Sequence, residues 1–209
     1  MLLFSRVATF NGSPRRVMPW AAAITEYVNA HGSLPVTCWT GSFGYPLGTM
    51  IWSAMVESEA ALAAGTSQLL ADPGYLDLLE SATDLISSPG HDMLREVLYG
   101  SPGDPPPIGA LANVTTATAI VDRLGDALGW AVEIGQYVEQ VIGTPVGVFT
   151  NVFGTMGGIM WLGVSADAAA ADAARAKLNA DTGYLKHIAG SKDLFINGSG
   201  HIGQAVRIA

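Results

Sequence analysis

The sequence predicts an α+β fold of two tandem β-α-β-β-α-β units, spanning residues 1–99 and 111–209. Three observations carry this reading: an internal repeat, a periodicity that changes in the same order in both halves, and a Pro/Gly-rich stretch between them. Under a shift of 110, WAAAITEYVN at 20–29 lies on WAVEIGQYVE at 130–139, and PVTCWTGSFG at 35–44 lies on PVGVFTNVFG at 145–154. One residue drops out in the next turn, after which the shift is 109. Trp52 then meets Trp161, and ADPGYL at 71–76 meets ADTGYL at 180–185. Over positions 20–44 and 48–85, 23 of 63 residues match their partners. A period this long suits two copies of one domain and is too long for a solenoid.

Each element follows from local pattern. LLFSRVATF is rich in strand formers and alternates loosely. Trp20, Ile24, Tyr27 and Val28 form the apolar stripe of a helix, and Trp130, Ile134, Tyr137, Val138 and Val141 repeat it. PVTCWTGSF and MIWSAMVES read as two strands around a Gly/Pro-rich turn. The Ala-rich run from Glu59 to about Leu70 is helical. A second helical segment restarts at Asp72-Pro73, with Asp as N-cap and Pro in the first helical position. Tyr75 and Leu76 are expected to pack on the sheet, and DMLREVLY closes the unit as a strand. The linker is residues 100–110, GSPGDPPPIGA, where three consecutive prolines exclude helix and central strand and favour an extended, stiff connection. The element order is that of the ferredoxin-like split unit.

Composition narrows the function classes. The net charge of −8, with ten Lys and Arg residues, argues against a nucleic-acid partner. A lone Cys38 cannot form an intrachain disulfide, which fits a reducing, cytoplasmic setting. MLLFSRVATFNGSPRR does not read as a secretory signal, because its basic residues follow the apolar stretch. The uncharged window between Glu139 and Asp167 is long enough to cross a bilayer, but its glycines and Pro145 break it into two short runs. No membrane span is expected.

Trp52 closing the third strand, the run WSAMVESEAAL at 52–62 and ADPGYL at 71–76 together resemble the dimeric α+β barrel superfamily, and within it the NIPSNAP-like proteins. The second half departs from the pattern, with Thr182 for the proline and Ser165-Ala166-Asp167 for the acidic cluster. The resemblance implies two four-stranded sheets facing each other, here closing a pseudo-dimeric barrel within one chain. It also implies a choice of functions. Such barrels include cofactor-independent monooxygenases, cyclases and lyases acting on aromatic or polyketide-like molecules, haem proteins, and proteins with no known reaction, so fold alone does not select among them.

Direct chemical signals are few. No Ser-His-Asp order, phosphate loop, dinucleotide fingerprint or Cys/His metal spacing occurs. His31 suits a helix end, and His91 and His201 fall in expected turns. His187 replaces Leu78 of the first half on an apolar helix stripe; it is read as packing, or alternatively as a general base or haem ligand reaching into a cavity. Arg6, among apolar strand neighbours, is expected to pair with a carboxylate, Glu96 being the nearest candidate, or to hold a substrate enolate or carboxylate. Its partner in the second half is read as Thr116. Trp39, Tyr45, Trp52, Phe149 and Trp161 suit the core, or an aromatic ligand pocket.

The catalytic candidates are therefore His187 and Arg6, with Trp161, Trp52, Trp39 and Tyr45 as ligand-binding candidates and no metal site. The expected function is action on a small apolar or aromatic molecule without a cofactor, haem being the alternative cofactor. The competing reading is a non-catalytic binding or assembly protein. The apolar content, 49% of the chain, favours self-association.

Overall fold

The structure, a computed structural model, describes residues 1–100 and 103–209. Ser101 and Pro102 of the expected linker lie outside the described residues. The first half runs β1 (Leu2–Phe10), α1 (Pro14–His31), β2 (Thr37–Phe43), β3 (Thr49–Val56), α2 (Glu59–Leu70), α3 (Pro73–Glu80) and β4 (Ile86–Tyr99). The second runs β5 (Leu111–Thr118), a 3-10 turn at Val121–Arg123, α4 (Leu124–Ile142), β6 (Val146–Phe153), β7 (Gly158–Ser165), α5 (Ala168–Ala180), α6 (Thr182–Ala189) and β8 (His201–Arg207).

All eight strands close one antiparallel barrel in the order β1-β3-β2-β8-β5-β7-β6-β4. Each half contributes four neighbours in the same sense: β4-β1-β3-β2 and β8-β5-β7-β6. The joins are β2 on β8, where Trp39 faces Arg207, and β6 on β4, where Phe149 faces Val97. Every edge strand of one half is therefore paired by the other half, and closure needs no second chain.

Strand alternation divides each sheet between two cores. Inward residues fill the barrel: Leu3, Phe149 and Met160 in one cluster, Trp39, Ala112 and Ala205 in another. Outward residues meet the helices. In the first half Trp20 and Trp52 pack edge to face at 6.0 Å with Phe10 beside them; in the second, Trp130 and Trp161 do so at 5.9 Å. The third ring comes from a different place in each half. Phe10 ends β1, whereas its register counterpart is Ala119, and Phe195 from the loop after α6 supplies the missing ring.

The repeated ADxGYL stretch is the joint between two helices, as its capping residues predict. Asp72 caps α3, accepting from the Gly74 amide at 2.9 Å and from the Tyr27 hydroxyl at 2.8 Å. Asp181 caps α6 in the same way, accepting from the Tyr184 amide at 2.7 Å and the Tyr137 hydroxyl at 2.9 Å. Both carboxyls are held below the usual range: Asp72 chiefly by the Tyr27 hydroxyl, Asp181 chiefly by the Tyr184 amide. Tyr75 is buried, but Leu76 stays 43% exposed and does not pack on the sheet.

The strand opening β4 is longer than its sequence suggests. Ser87-Ser88-Pro89-Gly90-His91 belongs to β4, not to a turn, and His91 pairs with Val7. Pro89 is tolerated because the register slips between Val7 and Thr9, an irregularity that removes the need for its missing N–H. His201 likewise opens β8.

Cys38 is fully buried on β2. Burial pushes its thiol up to about 12, against the opposing hydrogen bonds to Thr25 and the Trp39 backbone. The native protein is expected to resist iodoacetamide at pH 8 and to react once unfolded, because the thiolate is the nucleophile. Mass spectrometry of native and denatured samples checks this; rapid native labelling would show that the strand opens readily.

Candidate functional site

Between the second-half sheet and α4, α5 and α6 lies a cavity of about 580 Å³. Its walls are mainly apolar: Trp161 from β7, Trp130, Ile134 and Val138 from α4, Leu178 from α5 and Ile188 from α6. Phe43, from the first half, and Ile202 border it and are largely exposed, so the space opens toward solvent there. Arg175 is the sole cation among the lining residues and Tyr184 the sole phenol.

A polar ladder crosses the floor of this apolar space. Gln204 Nε2 donates to Asn113 Oδ1 at 2.9 Å, and Asn113 Nδ2 donates to Ser165 Oγ at 3.3 Å. Behind Gln204, the Ser42 hydroxyl donates to its backbone carbonyl at 3.0 Å and approaches its Oε1 at 3.4 Å. The three rungs come from adjacent strands, β8, β5 and β7: Gln204 and Asn113 are register partners, and Ser165 stands two residues further along β7, opposite Leu111. Each amide N–H is passed in the same direction, so the Ser165 hydroxyl proton ends the run. Both neighbouring indoles already spend their N–H groups, Trp161 on the Ala131 carbonyl at 2.9 Å and Trp130 on that of His187 at 3.2 Å. The rings therefore offer faces and edges to a ligand, and the ladder offers the hydrogen bonds.

Register shows why the cavity lies in one half. Phe4 pairs with Leu94 and Ala54, whereas Asn113 pairs with Gln204 and Gly163. Val56 faces Leu2 as Ser165 faces Leu111. In the first half this level is a packed apolar cluster of Ala54, Val56 and Leu94 with Leu2, Phe4, Leu34, Val36 and Leu62. The second half puts Asn113, Gln204, Ser165, Thr144 and Ala171 at the positions of Phe4, Leu94, Val56, Leu34 and Leu62. Gly135 stands where Thr25 receives the Trp52 indole N–H, and so contributes further space. The same comparison corrects the expected partner of Arg6. Arg6 pairs with Trp52 and Thr115 with Trp161, so the counterpart is Thr115, which lines the cavity, and not Thr116.

No protein-family model matches the chain, and no curated protein does. Solved structures do. A candidate monooxygenase from Fusobacterium nucleatum superimposes with a TM-score of 0.75 at 12% identity, covering 100% of this chain and 92% of that one. An anthrone oxidase-like protein gives 0.68 at 14% identity, covering 98% and 91%, and a candidate monooxygenase from Lactobacillus acidophilus gives 0.67 at 11%, covering 100% and 94%. The fold is that of the dimeric α+β barrels. Here both four-stranded sheets belong to one chain.

On this barrel the residues singled out from sequence separate into different places. Trp161 is on the cavity wall. Trp52 is its first-half counterpart, packed in the filled sheet–helix core. Trp39 and Tyr45 face the barrel interior, with Trp39 donating to Thr37 and Ser53 hydroxyls at 2.9 and 3.2 Å. Arg6 lies on the helix-facing side of β1, in a bidentate pair with Asp92 at 2.7 and 2.8 Å; Glu96 is opposite Leu2 and is not its partner. That hydrogen-bonded carboxylate raises the Arg6 pKa. His187 packs its ring on Tyr137 at 4.5 Å, outside the cavity lining, while its carbonyl receives the Trp130 indole. Sequence reading missed Asn113, Gln204 and Ser165. A signal for Ser165 was present, because the shift of 109 places it on the apolar Val56 at the end of the equivalent strand.

The donor set does not fit a haem in this cavity. Its lining holds no histidine, cysteine or methionine, and burial raises the Tyr184 phenol, opposing the phenolate that would bind iron. Among the described residues no three His, Cys, Asp or Glu side chains gather to hold a metal ion. Among the same residues, no helix is long and apolar enough to cross a membrane.

Proposed function

We propose that the protein binds a planar aromatic or polyketide-like ketone in the second-half cavity and promotes its oxygenation by dioxygen. The observation that carries this reading is the Gln204–Asn113–Ser165 ladder within an otherwise apolar space. A volume of about 580 Å³ falls within the range of roughly 300–1,000 Å³ usual for small-molecule sites. The ketone oxygen, or the enolate oxygen formed from it, accepts the Ser165 hydroxyl proton, while the rings lie among Trp161, Trp130 and Ile134. Preorganised neutral donors among apolar walls favour the enolate over the ketone. The likeness to an anthrone oxidase-like protein and two candidate monooxygenases supports the substrate class.

The reaction balances with dioxygen as the sole oxidant. A benzylic methylene loses both C–H bonds; one oxygen atom becomes the new carbonyl and the other leaves with the two hydrogens as water. The methylene carbon gives up four electrons, which reduce the dioxygen. Since the lining has no carboxylate or imidazole, the protein's part is to hold the enolate oxygen and seat the rings. The substrate's own keto–enol acidity supplies the carbanion.

The decisive experiment incubates the protein with anthrone and follows oxygen uptake with an electrode and quinone formation by absorbance. Protein-dependent uptake with one quinone per dioxygen is expected, and Ser165→Ala should lower kcat by about tenfold or more. Saturable binding without uptake would instead favour the non-catalytic reading, which the absence of a lining base also supports. Neither binding nor uptake, across a panel of aromatic ketones, would refute both.

A further inference from the structure

We propose that the barrel interior holds a small oxyanion or carboxylate against Arg95, a site separate from the sheet–helix cavity. Arg95 is on β4, where alternation turns Asp92, Leu94 and Glu96 outward and Met93, Arg95 and Val97 inward. The residue is 6% exposed. Its inward contacts are poor for a cation. Nη1 donates to the Ser5 hydroxyl at 3.4 Å and Nη2 to the Met93 thioether at 2.9 Å, a weak acceptor. Nε is buried and, among the described residues, has no acceptor at all.

A guanidinium has five N–H groups and a charge that it does not shed. Buried arginines are ordinarily matched by carboxylates, and even the half-exposed Arg6 on the neighbouring strand has one in Asp92. Arg95 has no such match. The outward turn of Asp92 and Glu96 keeps both nearby acids on the other face of the sheet. The ring of Tyr45 enters the same interior, lying over Gly41 and Gly203, where any Cβ would run into it. Burial raises its phenol, and the charge of Arg95 opposes that rise. Arg95 and Ser5 thus provide a fork of N–H donors and a hydroxyl, in the interior that the Tyr45 ring enters, around a site lacking only the negative partner. The Nε–Nη edge is the geometry that a two-oxygen anion accepts bidentately.

The test titrates the intact protein with sodium formate and, separately, sodium phosphate, at constant ionic strength. The readouts are the Arg95 Nε–H resonance, assigned by its loss in Arg95→Lys, and the melting temperature. A saturable shift of that resonance is expected with at least one of them. Melting should rise by about 5–10 °C at a hundred times the dissociation constant. Response to formate alone identifies a carboxylate site, and response to phosphate a broader oxyanion site. In Arg95→Met the melting response should vanish while the fold persists, since replacing a buried charge by an apolar chain is generally tolerated. If that variant fails to fold, the resonance of the unmodified protein still decides. A resonance that neither anion moves, with melting that follows ionic strength alone, overturns the proposal.

Discussion

Replacing Asn113, Gln204 and Ser165 together by Phe, Leu and Val is expected to abolish the ligand binding proposed for the second-half cavity and to raise the melting temperature. The triple substitution writes the residues of Phe4, Leu94 and Val56 into their register counterparts, where the first half shows that they pack as one apolar cluster. Burying a Phe, a Leu or a Val is worth about 1.5–3 kcal/mol each, and each kcal/mol gained moves melting by about 2–4 °C in a chain of this size. Thr144 and Ala171 remain small, so part of the space persists and the gain falls short of the full sum. Affinity for an aromatic ketone should drop at least about a hundredfold, the equivalent of roughly 2.7 kcal/mol. Gln204→Leu alone should behave differently, lowering stability because it strips Asn113 Oδ1 of its donor. Calorimetric melting and ligand titration on the same samples check both. A triple variant that binds as tightly as the parent would show that the cavity is not the binding site.

The half-to-half comparison also explains which features could be read before the structure. The duplicated segments, the helix joint at Asp72 and Asp181 and the strand–turn–strand pairs are local patterns, set by spacing and capping chemistry. The cavity is not local. It arises from residues on β5, β7 and β8 that are far apart in sequence and meet only through register. A slip of one residue in aligning β1 with β5 puts Thr116 where Thr115 belongs, and so hides that Phe4 is the first-half counterpart of Asn113. Strand alternation makes such a slip exchange the two faces of a sheet. The same exchange explains why the aromatic candidates did not form one pocket: Trp39 points into the barrel, and Trp52, only one β-strand away, points to the helices. Arg95 escaped notice because its environment depends on the turn of every neighbouring acid away from it. His187 departs from Leu78 of the first half, yet its ring packs on Tyr137 and is not among the residues lining the cavity.

The conserved geometry of the two joints yields the other large effect. Gly74→Ala and Gly183→Ala should each destabilise the protein, although both glycines lie in the first turn of a helix, where alanine ordinarily helps. A Cβ on Gly74 would meet the Tyr27 hydroxyl, with the ring carbon Cζ at 3.0 Å; on Gly183 it would meet the Tyr137 hydroxyl, with Cζ at 2.8 Å. Overpacking of this kind costs about 1–3 kcal/mol, or about 2–4 °C of melting per kcal/mol. The tyrosine can escape only by withdrawing from Asp72 or Asp181, which loses the hydroxyl that helps hold its carboxyl low. A depressed carboxyl contributes stability above its unfolded pKa and loses it as pH falls through the folded value. The deficit of Gly74→Ala should therefore be full at neutral pH and narrow on acidification. Tyr27→Phe removes the hydroxyl beforehand, so Gly74→Ala should cost less in that background than in the parent. The double-mutant cycle, run by thermal melting at pH 7, should show coupling between the two sites. Simple additivity would mean that the alanine clashes with nothing of Tyr27, and that the glycine is kept in both joints for some other reason.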